Sequence, residues 1–199
     1  MSWLALCMKR MMSEDSWYEV VEGTDLLQGD ILRACPLFRV AVDAAWEPSE
    51  GTSLDVDTTS EDVVILSQSC DLENHHVEDV LLGQVSSWED VVRAEVKRGN
   101  EFVKSSKFRK QLVDGNVPGL SLLHEHREDP YLAWSVVNFH RLHTLPKAFL
   151  LQRVSDMTPR LRLRSPYREH LSQAFARYFM RVGLPHNAAA FEKEGKIEM

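Results

Sequence analysis

Long hydrophobic runs are missing from this 199-residue sequence. No apolar stretch approaches the roughly 20 residues that a transmembrane helix needs, so the sequence predicts no association with a membrane. The first residues, MSWLALCMKRMM, place a short apolar part before the basic pair, which is the wrong order for a secretory signal. We therefore expect a cytoplasmic protein.

Cysteine is scarce as well. The three cysteines, Cys7, Cys35 and Cys70, show no spacing typical of a disulfide framework, and in a reducing compartment we expect free thiols. The sequence also contains no CxxC or HExxH pattern, no internal repeat and no low-complexity tract. It therefore predicts no cofactor.

Basic residues are few in the first half of the chain. Residues 14–90 contain 19 acidic side chains but only two basic ones, Arg33 and Arg39, whereas residues 91–191 contain 17 basic and 8 acidic side chains. This asymmetry indicates either an anion-binding second half or two halves that attract each other within one fold. We favour mutual attraction.

The order of short apolar segments and amphipathic segments predicts an α+β fold. Its simplest form is a small curved antiparallel sheet or an SH3-like partly open barrel, with a central helical insertion and a C-terminal helix packed on it. We expect one domain over residues 14–186, between an N-terminal tail (residues 1–13) and a C-terminal tail (residues 187–199).

Individual elements follow from apolar spacing and from caps. A helix is expected to begin after Ser86 or Ser87, and the C-terminal helix is expected to have Ser165 as its N-cap and Pro166 at its first position. An exposed loop is predicted for residues 43–60. Strands are predicted at residues 37–42, 63–66, 77–85, 120–126, 132–139, 148–154 and 160–164.

The strongest local signal is EDVVILSQSCDLEN at residues 61–74, a buried strand that runs into a polar turn. Cys70 and Asp71 lie in that turn and His75 follows it, so the stretch contains the parts of a Cys-His nucleophile. The alternative is structural: Cys70 fills an apolar gap while Asp71 binds backbone amides.

A metal site is a second candidate. His124 and His126 would project from the same face of a strand, and Cys70 or a neighbouring histidine could complete a tetrahedral set. The alternative is that both are surface or hydrogen-bonded histidines.

A third candidate is an anion site. Arg160, Arg162 and Arg164 alternate with leucines, which on a strand places three guanidinium groups on one face, and Ser165 opens the helix that follows. Positive charge beside a helix N-terminus suits a phosphate. The alternative is that these arginines pair with the acidic first half.

A basic patch between residues 93 and 110 could extend that site into a nucleic-acid groove. It includes Lys107, Arg109 and Lys110, and it is interleaved with Phe102 and Phe108, which could stack on bases.

Two segments, LLQGDIL (residues 26–32) and VVILSQSCDL (residues 63–72), resemble a pattern found in a widespread group of bacterial proteins. More distantly they resemble the start of the MazF/PemK toxins, which are SH3-like barrels that cleave RNA. In that family an Arg-Pro pair leads into the second strand, and its arginine contributes to cleavage. Here Glu61 and Asp62 occupy those positions, so the resemblance implies the barrel without the cleavage chemistry.

Three functional hypotheses follow. The first is a non-catalytic binding or regulatory component of a bacterial cytosolic system, associated with defence or mobile elements, with a protein partner or a second copy at the C-terminal helix. The second is a nucleic-acid-binding or MazF-like RNA-cleaving protein. The third is a zinc- or thiol-dependent enzyme centred on Cys70.

Overall fold

A computed structural model describes residues 16–40, 56–74, 77–155 and 159–180 of the chain. Within these residues, seven strands form one antiparallel sheet and five α-helices pack around it. The strands are β1 (Tyr18–Val21), β2 (Asp30–Val40), β3 (Val56–Ile65), β4 (Asp79–Ser87), β5 (Leu120–Leu123), β6 (Ser135–Pro146) and β7 (Arg160–Leu163). The helices are α1 (Ser69–Glu73), α2 (Trp88–Lys97), α3 (Ser106–Val113), α4 (Lys147–Ser155) and α5 (Tyr167–Phe179).

The strands lie in the order β1-β7-β2-β3-β4-β6-β5, and each pairs with its neighbours in antiparallel fashion. Because β1 and β5 remain as edges, the sheet is open and does not close into a barrel. The predicted α+β class and antiparallel sheet are confirmed. So are the helical insertion, formed by α2, a 3-10 turn (Glu101–Lys104) and α3, and the C-terminal helix.

Helices cover both faces of the sheet, which explains the continuous apolar run in β3. Successive residues of a strand point to opposite faces, and Val63 and Val64 accordingly belong to two different core clusters. On one face α5 packs through Leu171 and Phe175. The opposite face is covered by α1 and α4, whose buried residues are Leu72, Leu150 and Val154.

Several predicted elements are confirmed. Helix α2 begins after Ser87, whose hydroxyl accepts a hydrogen bond from the backbone N–H of Asp90 (3.1 Å) and thereby caps the helix. Strands β4 and β7 lie where the apolar spacing predicts them. None of the helices in the described ranges is long and apolar enough to span a bilayer.

Other predictions are wrong. Residues 148–154, predicted as a strand, belong to α4, because Leu150 and Val154 lie four residues apart and are buried on one side of a helix. The predicted turn after β3 contains α1. Of the predicted loop at residues 43–60, residues 56–60 are the first half of β3, and the remainder lies outside the described residues. Both predicted tails also lie outside them.

Candidate functional site

Folding brings the segments LLQGDIL (residues 26–32) and VVILSQSCDL (residues 63–72) side by side through the turn at Gly29. Its backbone N–H donates to the carbonyl of Ile65 (2.9 Å), and its carbonyl accepts from the N–H of Leu163 (3.0 Å). Gly29 has φ +87°, and a Cβ added there would lie 2.9 Å from the Cβ of Leu163. Only glycine meets both demands, so this turn ties β3 to β7.

Polar side chains complete this junction by bonding to backbone groups. The side-chain amide of Gln28 donates to the carbonyl of Leu66 (2.8 Å), and its backbone N–H donates to the hydroxyl of Ser69 (3.1 Å). The hydroxyl of Ser67 accepts from the N–H of Leu81 (2.9 Å). The serines of the SQS sequence are therefore engaged in holding the backbone.

Cys70 lies on α1 with an exposed thiol. The thiol contacts the Oε1 of Gln68 at 3.6 Å and the Oδ1 of Asp71 at 3.8 Å, and neither partner is a histidine. His75, the third member of the predicted nucleophile, lies outside the described residues. The described geometry therefore assembles no Cys-His pair.

The arginine strand is buried, as the alternative in which its arginines pair with the acidic first half of the chain requires. Arg160 and Arg162 are 2% and 6% exposed, and both guanidinium groups bind Asp30, which is fully buried. The Nε of Arg160 lies 3.0 Å from Asp30 Oδ2, and the Nη2 of Arg162 lies 3.0 Å from the same oxygen. The Nε of Arg162 also donates to Asp30 Oδ1.

Residues 23–25 supply the remaining acceptors of this cluster. Arg160 donates to the carbonyls of Gly23 (2.8 Å) and Asp25, and Arg162 reaches a carboxylate oxygen of Asp25 at 3.1 Å. Burial by itself lowers the pKa of Arg162, but its bonds to Asp30 and Asp25 outweigh that effect and raise the pKa. These ion pairs join the acidic first half of the chain to the basic second half, and they leave the two guanidinium groups unable to offer a phosphate-binding face.

Arg164 and Ser165 lie beyond this cluster. The backbone N–H of Arg164 donates to the carbonyl of Trp17 (2.9 Å). The prediction that Ser165 caps the C-terminal helix is wrong, since α5 begins at Tyr167 and its N-cap position is Pro166, which makes no side-chain cap bond. The predicted convergence of three guanidinium groups on a capped helix N-terminus is therefore not formed.

His124 and His126 are held by backbone carbonyls and by aromatic rings. Their Nδ1 atoms lie 2.8 Å from the carbonyl of Glu125 and 2.9 Å from that of Pro130. The ring of His124 packs against Trp134, with a centroid distance of 4.2 Å. No cluster of three or more metal-ligating side chains occurs in the residues that the structure describes, so the two histidines have no described co-ligand for a metal.

The predicted basic patch divides into two groups. Arg93, Arg98 and Lys104 form ion pairs with acidic residues three positions away. Lys107, Arg109 and Lys110 are exposed on α3, and no ion pair involving them is present among the described residues. Their charge is therefore available to a ligand.

An apolar pocket of about 270 Å³ lies beside these residues, and we call it the aromatic slot. Two indole rings line it. The slot is formed by Trp88, Arg109, Leu112, Val113, Leu122 and Trp134. Trp88 also stacks on Phe108 of α3, with ring centroids 6.1 Å apart and planes 22° apart. A flat ring with a negatively charged substituent fits an apolar slot whose lining includes a guanidinium.

The tryptophans of the slot were not among the residues predicted from the sequence. They are 46 positions apart in the chain, and no local pattern links them. Ser87 pairs with Ser135 at the end of the β4–β6 ladder, and the next residues, Trp88 and Trp134, are joined by a backbone hydrogen bond of 2.7 Å. Strand register is what brings the two rings together.

Comparison with models of known protein families gives no match, and comparison with curated proteins gives none either.

Proposed function

We propose that the protein is a non-catalytic binding component that holds single-stranded nucleic acid on α3 and in the aromatic slot. The observation that supports this function is the slot itself, which two indoles line together with Arg109, a residue that donates to the carbonyl of Lys104 (2.8 Å) and has no ion pair among the described residues. Proteins that bind single strands combine aromatic platforms for the bases with a basic track for the backbone.

The size and charge of the slot favour one base with its phosphate. Its volume of about 270 Å³ lies just below the range of about 300 to 1,000 Å³ typical of sites for whole drug-sized ligands. Arg109 lines the slot, and Lys107 and Lys110 are exposed on the same helix. A base in the slot would therefore place its phosphate near Arg109, while Lys107 and Lys110, farther round α3, would contact neighbouring phosphates.

RNA cleavage is not part of the proposal. The positions of the Arg-Pro pair of MazF-like toxins hold Glu61 and Asp62, and Asp62 is bound to Arg33 at 2.9 Å. The SH3-like relationship remains a proposal about β2 and β3, the strands that the two resembling segments overlap. A bacterial cytoplasmic origin and a link to defence or mobile elements also remain proposals.

Fluorescence anisotropy with labelled oligouridine and oligothymidine tests nucleic-acid binding. We expect saturable binding at low salt, with log Kd rising by about 0.7 per decade of salt for each phosphate contact. The triple variant K107Q/R109Q/K110Q should flatten this dependence by up to about 2. Arg93→Gln is the matched control, because its guanidinium is exposed but already paired with Asp90.

Base stacking is tested separately by Trp134→Ala. Loss of one stacked base costs about 1 to 3 kcal/mol, so Kd should rise about 5- to 150-fold. Phe179→Ala removes an exposed aromatic ring from α5, 57% exposed against 38% for Trp134, and should leave Kd unchanged. Absence of binding at low salt, or equal losses in the test and control variants, would contradict the proposal.

A protein partner or a second copy at α5 is a second candidate. Phe179 and Met180, at the C-terminal end of this helix, are 57% and 77% exposed. Light scattering over a range of concentrations should show self-association that Phe179→Ser weakens. A monomer at every concentration would exclude the second copy.

A further inference from the structure

A polar groove separate from the aromatic slot lies between α2 and the strands β3, β4 and β6. Its volume is about 600 Å³, within the range of about 300 to 1,000 Å³ that small-molecule sites occupy. The groove and the aromatic slot share no lining residue. Its walls contain three guanidinium groups and four carboxylates, so it suits a ligand with charges of its own.

Most of these charges are already neutralised. The Nε of Arg33 lies 2.9 Å from Asp62 Oδ2, whose other oxygen accepts from the backbone N–H of Ala34 (2.9 Å). Arg98 pairs with Glu95 at 2.9 Å on α2. These pairs form the walls of the groove and leave little charge for a ligand.

Glu61 and Arg141, by contrast, bind a neutral partner instead of an opposite charge. Each binds the neutral side chain of Gln84, which lies between them: Gln84 Nε2 donates to Glu61 Oε2 (3.0 Å), and Arg141 Nη1 donates to Gln84 Oε1 (3.4 Å). No ion pair within the described ranges involves either charged group. A carboxylate and a guanidinium are thus held apart by one amide.

The position of Gln84 is fixed by the sheet. It lies on β4 between Val63 and Asn138, next to an irregularity in the β4–β6 register, and it is 5% exposed. A buried amide requires partners for both ends. Since the carboxylate can only accept and the guanidinium can only donate, the amide orientation follows from their chemistry. Gln84 therefore anchors Glu61 at 3.0 Å and contacts the exposed Arg141 more weakly, at 3.4 Å.

We propose that this groove binds a free α-amino acid, with its ammonium on Glu61 and its carboxylate on Arg141. The second carboxylate oxygen of Glu61 accepts no hydrogen bond from any described residue. The remaining N–H groups of Arg141 donate none to any described residue. The two charges are separated by one amide and two hydrogen bonds. An α-amino acid spans the same gap, because its two charged groups are joined through one carbon and each adds one hydrogen bond.

Thermal unfolding in the presence of each common L-amino acid at millimolar concentration is the first measurement. A ligand that binds only the folded state raises Tm, and calorimetric titration then gives its Kd. The N-acetylated and amidated forms of the same amino acid should bind at least about tenfold more weakly, because each loses one charge-assisted hydrogen bond.

Two variants test the residues. Glu61→Gln keeps the shape and the bond to Gln84 but removes the negative charge, and Arg141→Met removes the guanidinium. Each should raise Kd at least about tenfold. Arg127→Gln, which removes an exposed guanidinium that is paired with Glu125 outside the groove, should change Kd less than about twofold.

The proposal is overturned if no free amino acid raises Tm, if the blocked forms bind as well as the free ones, or if Glu61→Gln and Arg141→Met bind like the unaltered protein. Oligouridine binding is unaffected by any of these results, because the aromatic slot has other lining residues.

Discussion

The stability of the β2–β7 junction depends most on the carboxylate of Asp30. It is fully buried and accepts hydrogen bonds from Arg160 and Arg162, while the backbone N–H of Leu27 donates to its Oδ2 at 3.2 Å. Asp30→Asn keeps the shape but replaces one acceptor oxygen with an NH2 group. That group would face guanidinium donors, and the two buried positive charges would lose their principal counter-charge.

Removing one partner of a buried ion pair costs about 3 to 5 kcal/mol, because the other charge stays buried and uncompensated. That cost is a large fraction of the roughly 5 to 15 kcal/mol by which folded domains are stable. With an m-value of about 2 kcal/mol/M, the urea midpoint of Asp30→Asn should fall by about 1.5 to 2.5 M.

Urea unfolding followed by tryptophan fluorescence measures this change. Asp25→Asn is the matched control, because its carboxylate binds the same two arginines but its side chain is 58% exposed, so it should cost less than about 1 kcal/mol. Equal and small losses for the two variants would show that burial of the Asp30 cluster does not control stability, and would refute this reasoning.

Three further perturbations test other features of the fold. Gly29→Ala should destabilise the protein by about 1 to 3 kcal/mol more than Gly115→Ala. Both glycines have positive φ, but only at Gly29 would the new Cβ press on Leu163. Equal urea midpoints for the two variants would contradict this prediction. Burial raises the pKa of Cys35 to about 11, so its thiol should not react with iodoacetamide at neutral pH until urea unfolds the chain. Peptide mapping measures the labelling, and labelling in the native state would count against the burial of Cys35. Burial lowers the pKa of His143 below its usual value of about 6.5, so the unfolded chain takes up a proton as the pH falls through that value, and the folded state loses stability. His143→Gln should therefore reduce the loss of Tm between about pH 7.5 and about pH 5.5. An unchanged pH profile would exclude this contribution.

Elements with complete local signals could be predicted from the sequence. Helix α2 combines an N-cap at Ser87 with two acidic residues in its first turn, and these interactions all lie within four residues of one another. Helix α4 was predicted as a strand because its run of apolar residues is short and continuous. Such a run does not distinguish a strand from a buried helix until the surface against which it packs is known.

The candidate sites depended more heavily on tertiary structure. Alternation in β7 correctly places Arg160 and Arg162 on one face, but it does not show whether that face meets solvent or Asp30, more than 100 residues earlier in the chain. Likewise, the basic residues Lys107 and Arg109 could be identified from the sequence as part of a basic patch. The tryptophans beside them could not, since only the register of β4 and β6 joins them.

The sequence by itself determined the α+β class, the positions of strands β4, β5 and β7 and of helices α2 and α5, and the excess of positive charge in its second half. Those features arise from interactions between residues a few positions apart, or from composition alone. Only the tertiary structure decided which charges neutralise one another and which remain free. Asp30 meets two arginines across the sheet, whereas Glu61 and Arg141 are separated by Gln84, and these outcomes depend on strand order and register, which bring together residues that are distant in the chain.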